Sequence, residues 1–367
     1  MSPTSTESTR STTRTAPTGT MRAVVKATAG PGAEIREVPI PTFGRAEILL
    51  RVLRAGVCGT DLHIWNWDRW SEGRVKPPVT LGHEFVGEVV ELGEDVLNVK
   101  RGDIVSCESH VVCGTCLACR TGSAHVCENT LILGVDINGG FAEYVAVPAV
   151  NAWPVPSGVS LEVAAVMEPC GNAVHTAFAG PLSGCNIAVT GCGPIGLFAI
   201  GVARAAGAAR VFASDVSPFR LDLARQMHAD AVIDVSKEDF VATSMKLTGG
   251  RGLDGVLEMS GNPKAVRDGL GALRMGGRLS MLGLPTEPFD LDWNRLVIFK
   301  GITLHGIIGR RMYDTWFQLD QLLGSGRLDL RPAITHVMEM ERFDEAIALL
   351  RDGRAGKVVL VPWGRSA

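Results

Sequence analysis

The sequence predicts an α/β protein of two unlike parts, a β-rich first half followed by a doubly wound parallel sheet. Three observations carry that expectation. Short apolar runs separated by Pro and Gly fill residues 21–150. From about residue 175 to 310 such runs alternate with stretches of helical character. A Gly-x-Gly-x-x-Gly follows the first of those later runs and opens the next helix. A length of 367 residues accommodates about two domains of ordinary size.

In the first half, Val24-Val25 and Glu47–Leu53 read as strands, with Pro39, Pro41 and Gly44 turning the chain between them. Gly87–Leu92, Asp103–Ser106 and Phe141–Val147 continue the β pattern. Leu161–Met167 is apolar and reads as a helix. Asn186–Thr190, Val211–Asp215, Ala231–Asp234, Gly255–Met259, Arg278–Leu282 and Ile302–His305 read as buried strands. Gly196–Ala206 and Arg220–Met227 read as helices between the first of them. Residues 312–324 and 342–351 have the period of amphipathic helices, and Val358–Val361 closes the chain as a strand.

Residues 1–20 hold mostly Ser, Thr, Pro and Gly, and are expected to form a disordered tail. Met21 offers a second possible start. No run approaches the roughly 18 apolar residues of a membrane span. A formal net charge of −3 without a basic cluster argues against nucleic acid and anionic membranes as partners. Nine cysteines, an odd number, argue against a fully paired disulfide framework. A cytoplasmic location, where thiolates persist, is expected.

The glycine motif is Gly191-Cys192-Gly193-Pro194-Ile195-Gly196, and Asp215 ends the next strand about 20 residues on. This context predicts a dinucleotide site. The glycines admit a tight turn and close approach of a pyrophosphate, and the helix N-terminus offers free N–H groups. Asp215 would accept hydrogen bonds from the adenosine ribose. Its charge repels a 2′-phosphate, so NAD is expected over NADP. Arg220 either reaches the ribose or adenine or is a solvated helix charge.

Cys113, Cys116, Cys119 and Cys127 crowd one short segment. Four thiolates at that spacing suit a closed tetrahedral zinc that serves structure. A redox cluster or an iron–sulfur site are the alternatives. A second group is scattered over Cys58-Gly-Thr-Asp-Leu-His63, Gly82-His83-Glu84 and Glu168-Pro-Cys170. Sulfur, imidazole and carboxylate together suit a zinc open to substrate. Taken singly and from spacing alone, Cys58 and His83 read more readily as a small buried thiol and a satisfied core histidine than as ligands.

These motifs stand in the order found in the zinc-dependent medium-chain alcohol dehydrogenases, and the chain resembles that family over nearly all of residues 21–363. The resemblance implies a GroES-like β-rich catalytic domain at 21–174 and 312–367, and a Rossmann doubly wound parallel-sheet NAD domain at 175–311. It implies two zincs per chain: a catalytic one on Cys58 and His83, with Glu84 either a ligand or an exchanging carboxylate beside it, and a structural one on Cys113, Cys116, Cys119 and Cys127. Glu168, where many members carry a second cysteine, is expected beside the catalytic zinc. Thr60 and His63 are expected to carry the alcohol proton away. NAD is expected on Gly191, Gly193, Ile195, Gly196, Asp215, Arg220, Leu282, Gly283, Leu284, Ile307 and Ile308. A homotetramer is implied.

Within the family, Gly59-Thr-Asp-Leu-His-Ile-Trp-Asn-Trp-Asp-Arg-Trp70 is most similar to the branch that oxidises L-threonine. Glu168–Thr176 and Gly306–Arg310 support that likeness. An amino-acid substrate brings a carboxylate, and Arg310 and His110 are candidates to bind it. Trp65, Trp67 and Trp70 are candidates for a pocket wall or for an interface or core. A polyol or 2,3-butanediol dehydrogenase is the alternative within the family. A zinc-free, non-catalytic NAD(P)-binding protein is the alternative of another kind.

Overall fold

The computed structural model describes residues 17–362. Residues 1–16 of the expected tail lie outside the described residues, and Thr20 already opens the strand Thr20–Lys26.

The β-rich part is built on Glu47–Val57. Ile48, Leu49, Leu50, Val52, Ala55 and Val57 of that strand are all buried, as a central strand requires. It pairs antiparallel with Glu84–Leu92, with Tyr144–Pro148 and with Lys357–Val361. Ile104–Cys107 and Ala152–Pro154 extend the sheet on one side, and Ile334–Glu339 extends it on the other. The last described strand of the chain thus completes a sheet begun near its start. Phe85, Val105, Phe141, Phe343 and Leu360 fill the core on this sheet. Full burial of such side chains contributes about 1.5–3 kcal/mol each.

The second sheet has six parallel strands, in the order Ala231–Asp234, Arg210–Asp215, Asn186–Thr190, Leu253–Glu258, Leu273–Met281, Thr303–Gly306. The order reverses between Asn186–Thr190 and Leu253–Glu258. In such sheets a ligand binds outside the carboxyl ends of the strands at that point.

The expected helix at Leu161–Met167 is two pieces. Leu161–Ala164 is a single turn, and a new helix runs over Met167–Phe178. Pro169 lies in the first turn of the second helix, where its missing N–H breaks no helical bond. This helix packs on Pro194–Ala205 of the second part and on the strands Glu84–Leu92 and Ile104–Cys107 of the first, so it joins the two parts. Among the described residues, no helix is long and apolar enough to cross a membrane.

Candidate active site

Strand register assembles the first cluster. Gly56 pairs with Glu84, and Val57 with Val358. Cys58, His83, Glu84 and Lys357 therefore reach one end of the sheet together. One donor atom from each of Cys58, His83 and Glu84 lies within 4.8 Å of the others. Cys58 caps the helix Gly59–Asn66. Asp61, one turn in, accepts a hydrogen bond from the Cys58 amide at 2.8 Å and so fixes the cysteine. Its other oxygen lies 3.8 Å from His83 Nδ1. Glu84 is ion-paired to Lys357, and both are fully buried.

The electrostatics of this cluster suit a cation. Asp61 Oδ1, His83 Nδ1 and Glu84 Oε1 are buried without a hydrogen-bond partner. Burial pushes the Asp61 carboxyl up to about 6 against the pull of His83. Burial would lower His83, but Cys58 and Asp61 beside it push the imidazole up to about 10. Bare, the site draws a proton onto its histidine. A bound divalent ion answers the same negative field, and sulfur, imidazole and carboxylate are the donors zinc takes.

Glu168 stands in the first turn of Met167–Phe178, and its charge acts on His83. It belongs to a buried ion cluster. Its Oε1 accepts from Ser109 Oγ at 2.5 Å and faces Arg310 Nη1 at 2.8 Å. Arg310 is also paired to Glu108 through Nε, at 2.7 Å, and through Nη2. Trp316 Nε1 donates to Glu108 at 2.8 Å. Gly171 lets this happen, since a Cβ there would sit 2.7 Å from the Arg310 chain. Burial alone would raise Glu108, but Arg310 holds it below the usual carboxylate range. Burial raises Glu168, with Arg310 opposing.

Arg310, a candidate for the substrate carboxylate, is placed inside this cluster. Its guanidinium is 2% exposed and is shared by two carboxylates, Ser109 and Asn172. A buried charge needs such partners, and here they take up the fork that a substrate carboxylate would need. His110 lies at the edge of the same cluster, its Nδ1 3.3 Å from Arg310 Nη2. Burial, then the guanidinium, pushes its imidazole down to about 4, so it is neutral at pH 7.

The four clustered cysteines form a separate lobe. Cys127 Sγ lies 3.5 Å from Cys113 Sγ and 3.9 Å from Cys116 Sγ. All four sulfurs lie within 4.8 Å of one another. Zn–S bonds of about 2.3 Å place tetrahedral sulfurs about 3.8 Å apart, so the spacing fits one zinc. Disulfides would need about 2.05 Å. Amides of Cys116, Cys113 and Asn129 donate to the sulfurs at 3.3–3.4 Å, which suits thiolates.

The dinucleotide motif lies where the sheet order reverses. Gly191 has φ +88, and a Cβ there would meet Ser260 at 2.8 Å. Gly193 caps the helix Pro194–Ala205, and space beside it is open for a phosphate. A cleft of about 380 Å³ joins Gly191 and Gly193 to Asp215 and Arg220. Asp215 accepts from the amides of Cys192, at 2.7 Å, and Ser217, at 2.9 Å, which orients its carboxylate. Ile195 is the second residue of that helix. Leu282–Leu284 and Ile307–Ile308 leave the carboxyl ends of the last two parallel strands, on the same edge. Leu284 and Ile308 are exposed there.

Thr60 and His63 stand one turn apart on Gly59–Asn66, so they share a face. Thr60 Oγ1 lies 3.8 Å from Cys58 Sγ. The His63 side chain is 61% exposed, which puts it at solvent. Trp65 and Trp67 pack on the core of the first part, and Trp65 donates to Asp344. Trp70 meets the His63 ring edge-on at 6.4 Å.

Comparison with known proteins agrees with this geometry. Residues 44–157 match the alcohol dehydrogenase GroES-like domain, and residues 194–325 match the zinc-binding dehydrogenase family. An L-threonine 3-dehydrogenase of Bacillus licheniformis is 51% identical over 94% of this chain and 99% of its own. One from Symbiobacterium thermophilum is 52% identical over 94% of this chain and 98% of its own. An alcohol dehydrogenase from Thermus sp. ATN1 has a TM-score of 0.84 at 33% identity, covering 93% of this chain and 100% of that one. The chain belongs to the zinc-dependent medium-chain alcohol dehydrogenase family.

For a medium-chain alcohol dehydrogenase, the sequence left several supporting residues unmarked. Glu108 and Ser109 were missed because nothing local marks a residue whose partner is about 200 positions away. Asp61 had a readable signal, since it stands three residues after the cap, where a capping box places a carboxylate. Phe240, Met259, Ser260 and Asn262 line the nucleotide cleft of this dehydrogenase. The small polar run after the strand Leu253–Glu258 was the cue for two of them, Ser260 and Asn262.

Proposed function

We propose that this chain oxidises L-threonine at C3 to L-2-amino-3-oxobutanoate and passes the hydride to NAD. The observation that carries the substrate is its likeness, near 50% identity over almost the whole of both chains, to L-threonine 3-dehydrogenases. The geometry supports the reaction type. Cys58, His83 and Glu84 would hold one zinc, and Cys113, Cys116, Cys119 and Cys127 the other. The carboxyl edge from Gly191 to Ile308 would hold NAD, with Asp215 on the ribose diol.

When bound, the catalytic zinc lowers the pKa of the C3 alcohol and NAD accepts the hydride. The protein does the rest. Thr60 receives the alcohol proton at Oγ1 and hands it on toward His63. The exposed imidazole of His63 takes it and releases it to water. Glu168, held at one oxygen by Ser109 and Arg310, fixes a negative charge beside His83. Asp61 holds Cys58 in place from the next turn. The reading also places the enzyme in the cytoplasm, where its thiols stay reduced. It expects a homotetramer, at four times the 39.0 kDa chain by light scattering.

A substrate panel tests the proposal. NAD reduction should be far faster with L-threonine than with sorbitol, 2,3-butanediol or simple alcohols. A clear preference for a polyol or diol would overturn the substrate.

A further inference from the structure

We propose that Asp68 is a positioning residue for the proton relay: it fixes the His63 ring so that Nε2 is free to accept the proton. The inference rests on the relay role of His63 in the reading above.

The local chain builds the pair. The helix Gly59–Asn66 ends at Trp67, whose φ of +56 turns the backbone sharply. Asp68 folds back, its amide 3.4 Å from the His63 carbonyl. Its Oδ2 lies 2.5 Å from His63 Nδ1. Its Oδ1 accepts from the Ser71 amide at 3.0 Å and from the Ser71 hydroxyl at 3.1 Å, capping the helix Arg69–Arg74. Both carboxylate oxygens are thus allotted, one to a helix and one to the imidazole. Trp70, from that second helix, closes on the ring edge-on.

The chemistry follows from what each atom can do. An ionised carboxylate only accepts, so the proton of a neutral His63 sits on Nδ1. Nε2 then carries the lone pair. Slight burial would raise the Asp68 carboxyl, but the bonds from Ser71 and His63 hold it below the usual carboxylate range. It stays ionised, and it stabilises the imidazolium formed when Nε2 takes a proton. Loss of that proton to water restores the Nδ1–H form. This gives a purpose to Trp67, Asp68 and Trp70 that the relay alone leaves unexplained.

Asp68→Asn isolates the effect, because asparagine caps a helix as well as aspartate does. Its amide would donate to Nδ1, which moves the ring proton to Nε2. The holoenzyme is measured with L-threonine in single turnover, as wild type, Asp68→Asn, His63→Ala and the double variant. Melting temperatures check folding. NADH formation should slow by roughly ten- to hundredfold in Asp68→Asn. KM for L-threonine and NAD should stay within about twofold. The double variant should be no slower than His63→Ala, and Asp68→Glu should regain part of the rate. If His63→Ala is slow while Asp68→Asn matches wild type, the proposal is overturned and the relay stands. If the two losses multiply in the double variant, Asp68 acts elsewhere and the proposal again fails. A His63→Ala enzyme at wild-type rate overturns the relay reading itself.

Discussion

Arg310 shows how a residue's neighbours decide its chemistry. Its type suits a substrate carboxylate, but Glu108 and Glu168 already hold its guanidinium. Arg310→Met should therefore lower stability by about 3–5 kcal/mol, because it leaves buried carboxylates unpaired. Denaturant unfolding checks this. A fully stable variant with only a raised KM for L-threonine would restore the substrate-anchor role. His110 beside it gives a pH signature. Its folded value of about 4 lies below the roughly 6.5 of an unfolded histidine, so the unfolded chain binds the extra proton between them. Stability should fall as pH drops from about 6.5 to 4, by about 3 kcal/mol from this group. His110→Gln should lose correspondingly less over that range, as unfolding curves at several pH values would show. Asp215→Ala should weaken NAD roughly tenfold and narrow the preference over NADP, read from KM for each cofactor. An unchanged preference would remove Asp215 from the ribose.

Single elements carry the next set of consequences. The cysteine lobe has little regular structure beyond two short turns, Leu117–Arg120 and Ala124–Val126. Its order depends on the zinc its sulfurs can hold. Cys116→Ser should release that metal and lower the melting temperature by several degrees, with about one zinc lost per chain by elemental analysis. Loss of the melting shift alone would mean the lobe stands without metal.

The parallel strands were legible because buried strands read as continuous apolar runs, and Asn186–Thr190 and Ala231–Asp234 have the expected ends. The helix Gly59–Asn66, which carries Thr60 and His63, was not. Its residues lack a clean apolar stripe, and it is fixed by the Cys58 cap and by packing on Phe343–Arg351. The strand Ile334–Glu339 alternates weakly and is specified by its partner Lys357–Val361. The glycine motif and the four clustered cysteines were readable from local spacing, whereas Cys58 and His83 were marked as ligands only by the family resemblance. Glu108 and Lys357 were readable from neither, since only the folded chain brings them to Arg310 and Glu84.

At the scale of the whole molecule, one sheet gathers Cys58, His83 and Glu84 at its end and the other presents the edge beside Gly191 and Asp215. The helix Met167–Phe178 and the Arg310 cluster connect them. The central claim is that a zinc on Cys58, His83 and Glu84 serves oxidation of L-threonine with NAD. The most direct test pairs zinc content with L-threonine-dependent NADH formation for wild type and Cys58→Ser. Wild type should hold about two zincs and turn over. Cys58→Ser should stay folded, hold about one zinc and lose at least roughly a thousandfold in rate, about 4 kcal/mol of barrier. Full activity in Cys58→Ser with one zinc gone would contradict the account.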